Sequence, residues 1–572
     1  MEFLFCKKQH FEFLQIDTPA SLGLYDALPD HVVCEHCEKT HRKREVKYFV
    51  TFSLRKQLEK FLNLPGTSEI LNYSNIRVKN SDDCYEDIYD GHKYCELREE
   101  GGPLHSPYSF SYNINTDGVS LSESSQTEAW PLYIRLNECK PTLRQKCVFI
   151  AALWVDKKKP NFNLFLKNFV DEGNGLLENG IQWTPPGAVE EVTSIFCPAC
   201  LVVDAKARAP CLNMKDVTGH YGCTFCTHVG VSRGRGPVKF PVRPNPPEYD
   251  FEEPVLRSDD SIRNGMMTAQ PVRDGDVLGV KGPSQLMRLL NFDLFVNQVT
   301  DDLHPWFEGV AKFHTELMLQ RRKPWSIPSD ELPTVNRRIH LSVTPTTLSR
   351  KPRDLSVSNQ WTGTEWRNWL INYSIPCLQG TIPRRYLQHW SLLANAAYLL
   401  HKSSISEEDL NTAERCIRSY SETFEDYFGV DNMRYNLHVL IHSVISVRNW
   451  GPMWAHSTFP FESMNSKVLN SIFSPKDPIN QVLLRLQMVS LVNTIPLAGN
   501  ISEEVRQLVG SLSDKTRKIV TTVNGAHFLG SGTRRLPTNA ELELLRRRNI
   551  ECDHITEYYR VLHNGIEFRS PL

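Results

Sequence analysis

The stretch "SPYSFSYNINTDGVS", residues 106–120, decides the fold. Tyr108, Phe110, Tyr112 and Ile114 alternate with polar residues, the period-two pattern of a strand with one buried face. Asp117 has the opposite parity and stands at the strand's end, immediately before a glycine. Two more strand candidates follow, "WPLYIRLNEC" (130–139) and "CVFIAALWV" (147–155), each bounded by turn or charged residues. "NFNLFLKNFVDEGNGLLENG" (161–180) then has helical spacing, with Leu164, Phe165, Phe169 and Leu176 on its apolar side. "EVTSIFCPACLVVDA" (191–205) returns to strand and ends at Asp204. Three strands, a helix and a fourth strand make up the order of an α/β, RNase H-like core.

Around that core, at 106–230, the 572 residues divide further. Residues 1–50 hold Cys6, His10, Cys34 and Cys37, a candidate zinc ribbon because two close pairs of nitrogen and sulfur donors suit tetrahedral Zn²⁺. Residues 51–105 read as a mixed linker region with a short amphipathic helix at "LRKQLEKFLNL". At 231–283 the Pro, Gly and charge of "SRGRGPVKFPVRPNPPEYDFEEP" exclude a core element and imply an extended basic arm. Helical patterns fill 284–430, including "PSQLMRLLNFDLF", "RRYLQHWSLLANAAYLLHKS" and a helix starting at Ser406, and suggest an all-helical insertion. Residues 431–485 would return to the core with two more helices, and 486–572 would be a helical tail.

The net charge is only −1, yet basic clusters lie at 41–47, 348–353 and 544–549, patterns found on solvated faces and on nucleic-acid contacts alike. Fifteen cysteines, without a secretory signal or an apolar run of membrane-span length, favour thiols and metal ligands over disulfides. No membrane association is expected.

Two constellations carry chemistry. His438 and His442 are four residues apart, so a helix would present both rings on one face, and Cys223 with Cys226 supplies a matching pair of zinc ligands. A four-cysteine site of Cys197, Cys200, Cys223 and Cys226 competes with it. The histidine pairing is preferred because Cys197 and Cys200 fall inside an expected strand, where residues three apart face opposite sides. The second constellation is acidic: Asp117 and Asp204 would end neighbouring strands, and Glu462 would start a helix whose buried face is Phe461, Met464, Val468 and Ile472. Convergent carboxylates suit Mg²⁺ and two-metal phosphodiester chemistry. Each also has a plain structural reading, Asp117 as an Asp-Gly turn and Glu462 as a helix N-terminal charge.

The blocks "NTDGVSLSESS", "WPLYIRLNE", "LWVDKKKPNFNLFL", "VVDAKARAPCLNMKDVTGHYGCTFC", "DDLHPWFEGV" and "YNLHVLIHSVISVRNWGPMWAHSTFPFESMN" occur in this order. Together they resemble animal CACTA (En/Spm-like) DNA transposases over about residues 106–480. The resemblance implies a DDE transposase core with Asp117, Asp204 and Glu462 as the catalytic acids binding Mg²⁺ or Mn²⁺. It also implies Cys223, Cys226, His438 and His442 as zinc ligands, and includes an Asp-x-x-His motif, Asp301 to His304, with no role derivable from sequence. Terminal inverted repeats and target DNA as partners, nuclear action and assembly as a homo-oligomer follow as expectations, with room for a separate end-binding protein. The alternative is a retained, non-catalytic DNA-binding or protein-interaction module that keeps its structural zinc.

Overall fold

The computed structural model describes residues 47–472 apart from 65, 122–126, 146, 186–187, 233, 235, 243–253, 270–274, 344–347 and 349. Outside that span it describes 2–5, 11–12, 30–34, 39–42, 479, 481–482, 484–485, 502, 504, 519–523, 526–529, 532–548, 550, 552–558, 560–563 and 566–569. The expected N-terminal ribbon lies outside: Cys6, His10, Cys37 and the Cys34 side chain are not among the described residues.

The fold is mixed α/β. Its central mixed sheet contains β1 (Glu2–Phe5), β2 (Phe11–Glu12), β3 (Lys47–Thr51), β4 (Phe110–Thr116), β5 (Val119–Ser120), β6 (Glu128–Leu136), β7 (Val148–Asp156) and β8 (Phe196–Leu201). Their spatial order is β8-β4-β6-β7-β3-β1-β2, with β5 also paired to β6. β4, β6 and β7 are successive antiparallel neighbours, while β8 returns parallel to β4. A parallel return needs a crossover; here the chain passes through α2 (Lys167–Glu178), which packs beside α1 (Leu54–Leu62) on one face of the sheet. Tyr112, Ile114, Leu132 and Ile134 fill that face together with Leu58, Phe169 and Val170.

The structure corrects the sequence reading in several places. The polar side of β4 is buried too: Ser111 and Asn113 are fully inaccessible and Asn115 nearly so. Asn137 donates to Ser111 Oγ and Asn113 Oδ1 (both 3.0 Å), and Glu138 accepts from Ser111, so polar character there reflects a buried network rather than solvent. Second, the expected strand 191–205 is two strands: Val192–Ser194 pairs with Ile181–Trp183, and only Phe196–Leu201 joins the sheet, ending before Asp204. A register shift between Pro198 and Leu201 breaks the alternation, so Cys197 and Cys200 enter the same apolar cluster rather than opposite faces.

Third, the segment 231–283 is not only an extended arm. Ser258 caps α4 (Asp259–Thr268), which buries Ile262 and Met266 in the core, and Phe240 is buried as well. α3 (Ala205–Cys211) precedes it directly after Asp204. Fourth, "PSQLMRLLNFDLF" has helical spacing but makes only a 3₁₀ turn at Gln285–Arg288. Asn291 adopts a left-handed φ of 54°, and Asp293 Oδ1 accepts from the backbone N–H groups of Phe295 and Val296, so local side-chain bonds replace the helical ladder.

From Leu303 the insertion is helical. It contains the π-helix Leu303–Ala311, α5 (Arg384–Leu400) and α6 (Glu407–Phe428), the last capped reciprocally by Ser406 and Asp409. α7 (Tyr435–Val439) packs beside the π-helix, and α8 (Ser443–Trp450) and α9 (Phe459–Leu469) then return to the second face of the sheet. Trp450, Phe461 and Val468 pack there with Tyr133 and Ile150. Beyond residue 485 the described residues are mainly strands, Ile519–Val523, Ala526–Leu529, Arg560–His563 and Ile566–Arg569 in one sheet, plus the helix Asn539–Arg546, in place of a helical tail. Among the described residues no helix is long and apolar enough to cross a membrane.

Candidate active site and metal centre

Asp117 follows the last residue of β4, and its Oδ1 accepts from the Gly118 N–H at 2.7 Å. A Cβ at position 118 would lie 2.4 Å from the Trp130 ring, so the close approach to β6 requires glycine. Asp204 lies three residues beyond β8, where its Oδ1 caps α3 by accepting from Ala207 N–H at 2.7 Å. Since β4 and β8 are parallel neighbours, both carboxylates emerge at the same end of the sheet.

Glu462 occupies the first turn of α9, and its neighbour Phe461 fixes that helix on the sheet. The Phe461 ring stacks on Tyr133 with centroids 6.3 Å apart and an interplanar angle of 20°, and the Arg135 guanidinium lies 5.6 Å from its centre. Arg135 itself is fully buried. Met464 and Ile472 are partly buried beside Phe461 and Val468, as the sequence pattern expects.

Candidate ligand atoms of Asp117, His304 and Glu462 all lie within 4.8 Å of one another. Asp204 completes no such group among the described residues, but its charge acts on Asp117. Burial first, then Asp204 and Glu462, pushes the Asp117 carboxyl up to about 7, opposed by His304. Burial likewise raises Glu462, with Asp301, Glu308 and Asp204 adding to it and His304 opposing. Against the cost of burial, Asp301, Asp204 and Asp117 hold the His304 ring up to about 10.

The sequence marked "DDLH" without assigning it work; the structure ties it to the acidic cluster. Asp301 is fully buried, and burial is outweighed by His304 and Thr458, which keep its carboxyl at about 2. Its Oδ1 accepts from Thr458 Oγ1 at 2.6 Å and Leu303 N–H at 3.0 Å. Its Oδ2 accepts from His304 N–H at 2.8 Å and also contacts His304 Nδ1. Thr458 was missed by sequence reasoning. It is the N-cap of α9, a position readable from sequence, but its hydroxyl serves Asp301 instead of the helix.

The second cluster unites Cys223, Cys226, His438 and His442, all buried and with ligand atoms within 4.8 Å of one another. Cys226 Sγ lies 3.3 Å from His438 Nε2, and Cys223 Sγ 3.6 Å from His442 Nε2. With zinc–sulfur and zinc–nitrogen bonds of about 2.3 and 2.0 Å, a tetrahedron has sulfur–nitrogen edges of about 3.5 Å. The four donors therefore fit a tetrahedral metal such as zinc. Burial disfavours the Cys223 thiolate, but the Cys226 hydrogen bond and both histidines hold its pKa well below the usual thiol value. The two histidines do not share one regular helix, since a 3₁₀ turn at Leu440–His442 follows α7. Phe240 stacks on His438 and Phe225 on His442, at centroid distances of 5.2 and 5.1 Å. Buried Arg257 donates Nε to the Cys223 and Cys226 carbonyls at 3.2 and 3.1 Å. Cys197 and Cys200 stay in the apolar core, outside this cluster.

The basic run 348–353 is partly committed to the fold: Arg353 pairs with Glu365 at 2.6 Å, and Lys351 donates to the His340 and Ser342 carbonyls. Comparison with family models finds none that matches this chain, and comparison with curated proteins finds no match either.

Proposed function

We propose that this chain is a DDE-type DNA transposase of the CACTA (En/Spm-like) kind, which cuts DNA at element ends and joins the freed 3′-hydroxyl to target DNA in the nucleus. The observation that carries the reading is the convergence of Asp117 and Glu462, remote in sequence, with Asp204 behind them at one end of two parallel strands. The strand order β7-β6-β4-β8, with only β8 parallel to its neighbour, supports an RNase H-like core. The helical segment between β8 and α9 corresponds to an insertion before the last acid.

The donor set fits a divalent cation: half-buried carboxylates gathered at one point, with burial and the charges of Asp204 and Glu462 pushing the Asp117 carboxyl up, need a positive partner to stay ionised together. Asp117 and Glu462 would hold it, with Asp204 contributing the oxygen not committed to the α3 cap. When bound, Mg²⁺ or Mn²⁺ supplies an activated water or 3′-hydroxyl and stabilises the departing oxygen. The protein's own part is to keep these carboxylates fixed beneath the scissile phosphate. Trp130 does so through Gly118, and Phe461 does so through its stack on Tyr133. In the same reading, the Cys223–Cys226–His438–His442 cluster holds structural Zn²⁺, and four protein donors leave no open position for zinc-hydrolase chemistry.

The test is cleavage of DNA carrying candidate terminal inverted repeats in Mg²⁺ or Mn²⁺, comparing wild type with Glu462→Gln. Cleavage lost in the variant is expected. Folded, zinc-loaded wild type that binds this DNA without cutting it would instead favour a retained binding module.

A further inference from the structure

We propose that His304 is a ligand, through Nε2, of the divalent cation held by Asp117 and Glu462, and that Asp301 is the carboxylate that orients it. This deepens the metal-dependent reading above and rests on it. Its first support is position: His304 belongs to the three-residue donor group that Asp204 does not complete. Its ring nitrogen Nε2 lies 3.9 Å from Glu462 Oε1. That is too long for a direct hydrogen bond, yet within the span of roughly 4.2 Å that two ligands of one ion at about 2.1 Å can reach.

The second support is the lock behind the ring. Asp301 receives four contacts, two on each oxygen, from Thr458 Oγ1, Leu303 N–H, His304 N–H and His304 Nδ1. Its acceptor capacity is spent, so it cannot itself ligate a metal. A carboxylate accepting from Nδ1–H turns Nε2 toward the acidic cluster, where a bound cation would take the place of the Nε2 proton. Metal-ligating histidines characteristically donate their other ring N–H to such a partner. The backbone adds a third observation: His304 is the second residue of a π-helix, a rare form often found at functional sites.

An imidazole among the ligands suits Mn²⁺ better than Mg²⁺, which prefers oxygen donors. The experiment uses full-length, zinc-loaded protein titrated with Mn²⁺ and read by electron spin-echo modulation, with natural-abundance and ¹⁵N-histidine-labelled wild type. Coupling of directly bound nitrogen that changes with the label and vanishes in His304→Gln supports the proposal. So does a ten- to hundredfold loss of Mn²⁺ affinity in Asp301→Asn. Mn²⁺ bound in an Asp117-dependent way without nitrogen coupling overturns the proposal and leaves the metal-dependent reading standing. Mn²⁺ that fails to bind, or binds independently of Asp117, overturns both. The labelled wild type gives the answer even if a variant does not fold.

Discussion

Asp117→Asn should stabilise the protein in the absence of added divalent cation, and increasingly so as pH rises. The Asp117 carboxyl moves from 3.8 to about 7 on folding, because it is buried beside Asp204 and Glu462. A raised carboxyl pKa means the folded state binds the proton more tightly than the unfolded chain. Its contribution to stability is therefore fully present below pH 3.8, falls as pH rises toward 7, and is gone above about 7. At about 1.4 kcal/mol per pKa unit, that interval corresponds to roughly 4 kcal/mol, an upper limit because side chains relax and Glu462 shares the repulsion. An asparagine carries no such dependence. Urea midpoints measured from pH 4 to 8.5 on zinc-loaded protein should show wild type losing ground to Asp117→Asn up to about pH 7, then a constant gap. Adding Mg²⁺ or Mn²⁺ at pH 8 should raise the wild-type midpoint and close the gap. A variant no more stable than wild type at pH 8.5 would refute the claim that these acids repel one another in a shared site.

Cys226→Ser should release one equivalent of zinc per chain, while Cys197→Ser releases none, as counted by elemental analysis of purified protein; zinc loss from the second variant would favour the four-cysteine site. Phe461→Ala removes a buried ring from between Tyr133 and Arg135 and should cost about 3–5 kcal/mol in denaturant unfolding, together with strand cleavage because Glu462 loses its platform. Arg144→Met leaves the buried Asp87 carboxylate, now paired at 2.7 Å, without its cation and should cost about 3–5 kcal/mol by the same measurement. If the basic segments and the chain between 231 and 250 contact phosphates, DNA affinity should fall linearly on a log–log plot against salt; a flat plot between 50 and 200 mM would remove them from the binding surface.

The strands that build the site were legible because β6 and β7 are largely apolar runs of strand length and β4 alternates apolar with polar residues, patterns that hydrophobic burial enforces whatever the loops do. The two ends of the acidic cluster were legible for the same reason, since Asp117 and Glu462 border segments with clear periodicity. Where local bonding overrode periodicity, the reading went astray. Asp293 and Asn291 undo a helix that the apolar spacing of 283–295 suggests. The bulge in β8 reverses side-chain parity between Cys197 and Cys200, so the argument from opposite faces fails although neither thiol joins the zinc cluster. In the segment 231–283, average composition hid the Ser258 cap and the buried Ile262 and Met266 of α4. Near the C-terminus, Asn-Gly lies between Val523 and Ala526 and again between His563 and Ile566, pairs that face each other across hairpins. That dipeptide was the overlooked signal.

What the sequence could not reveal is how the proposed zinc centre reaches the acids. On one side, Arg208 of α3 lies 4.9 Å over the Phe225 ring, and Phe225 stacks on His442, so the helix capped by Asp204 abuts the cluster. Arg208 also donates to the carbonyls of Val203 and Val299, clamping the end of β8 to the strand-like segment leading to Asp301. On the other side, α7 carries His438 and lies so close to the π-helix that a Cβ at Gly309 would sit 2.5 Å from Asn436 Nδ2. The π-helix holds His304, and Asp301 before it holds Thr458 at the start of the helix bearing Glu462. The buried cluster of two cysteines and two histidines thus touches both the helix that Asp204 caps and the chain of contacts that ends in Glu462. If the cluster holds a metal, its loss would free Glu462 relative to Asp117 and Asp204 while leaving β4 and β8 intact. A site assembled from segments this distant in sequence requires such a brace, because the sheet alone fixes only the first two acids.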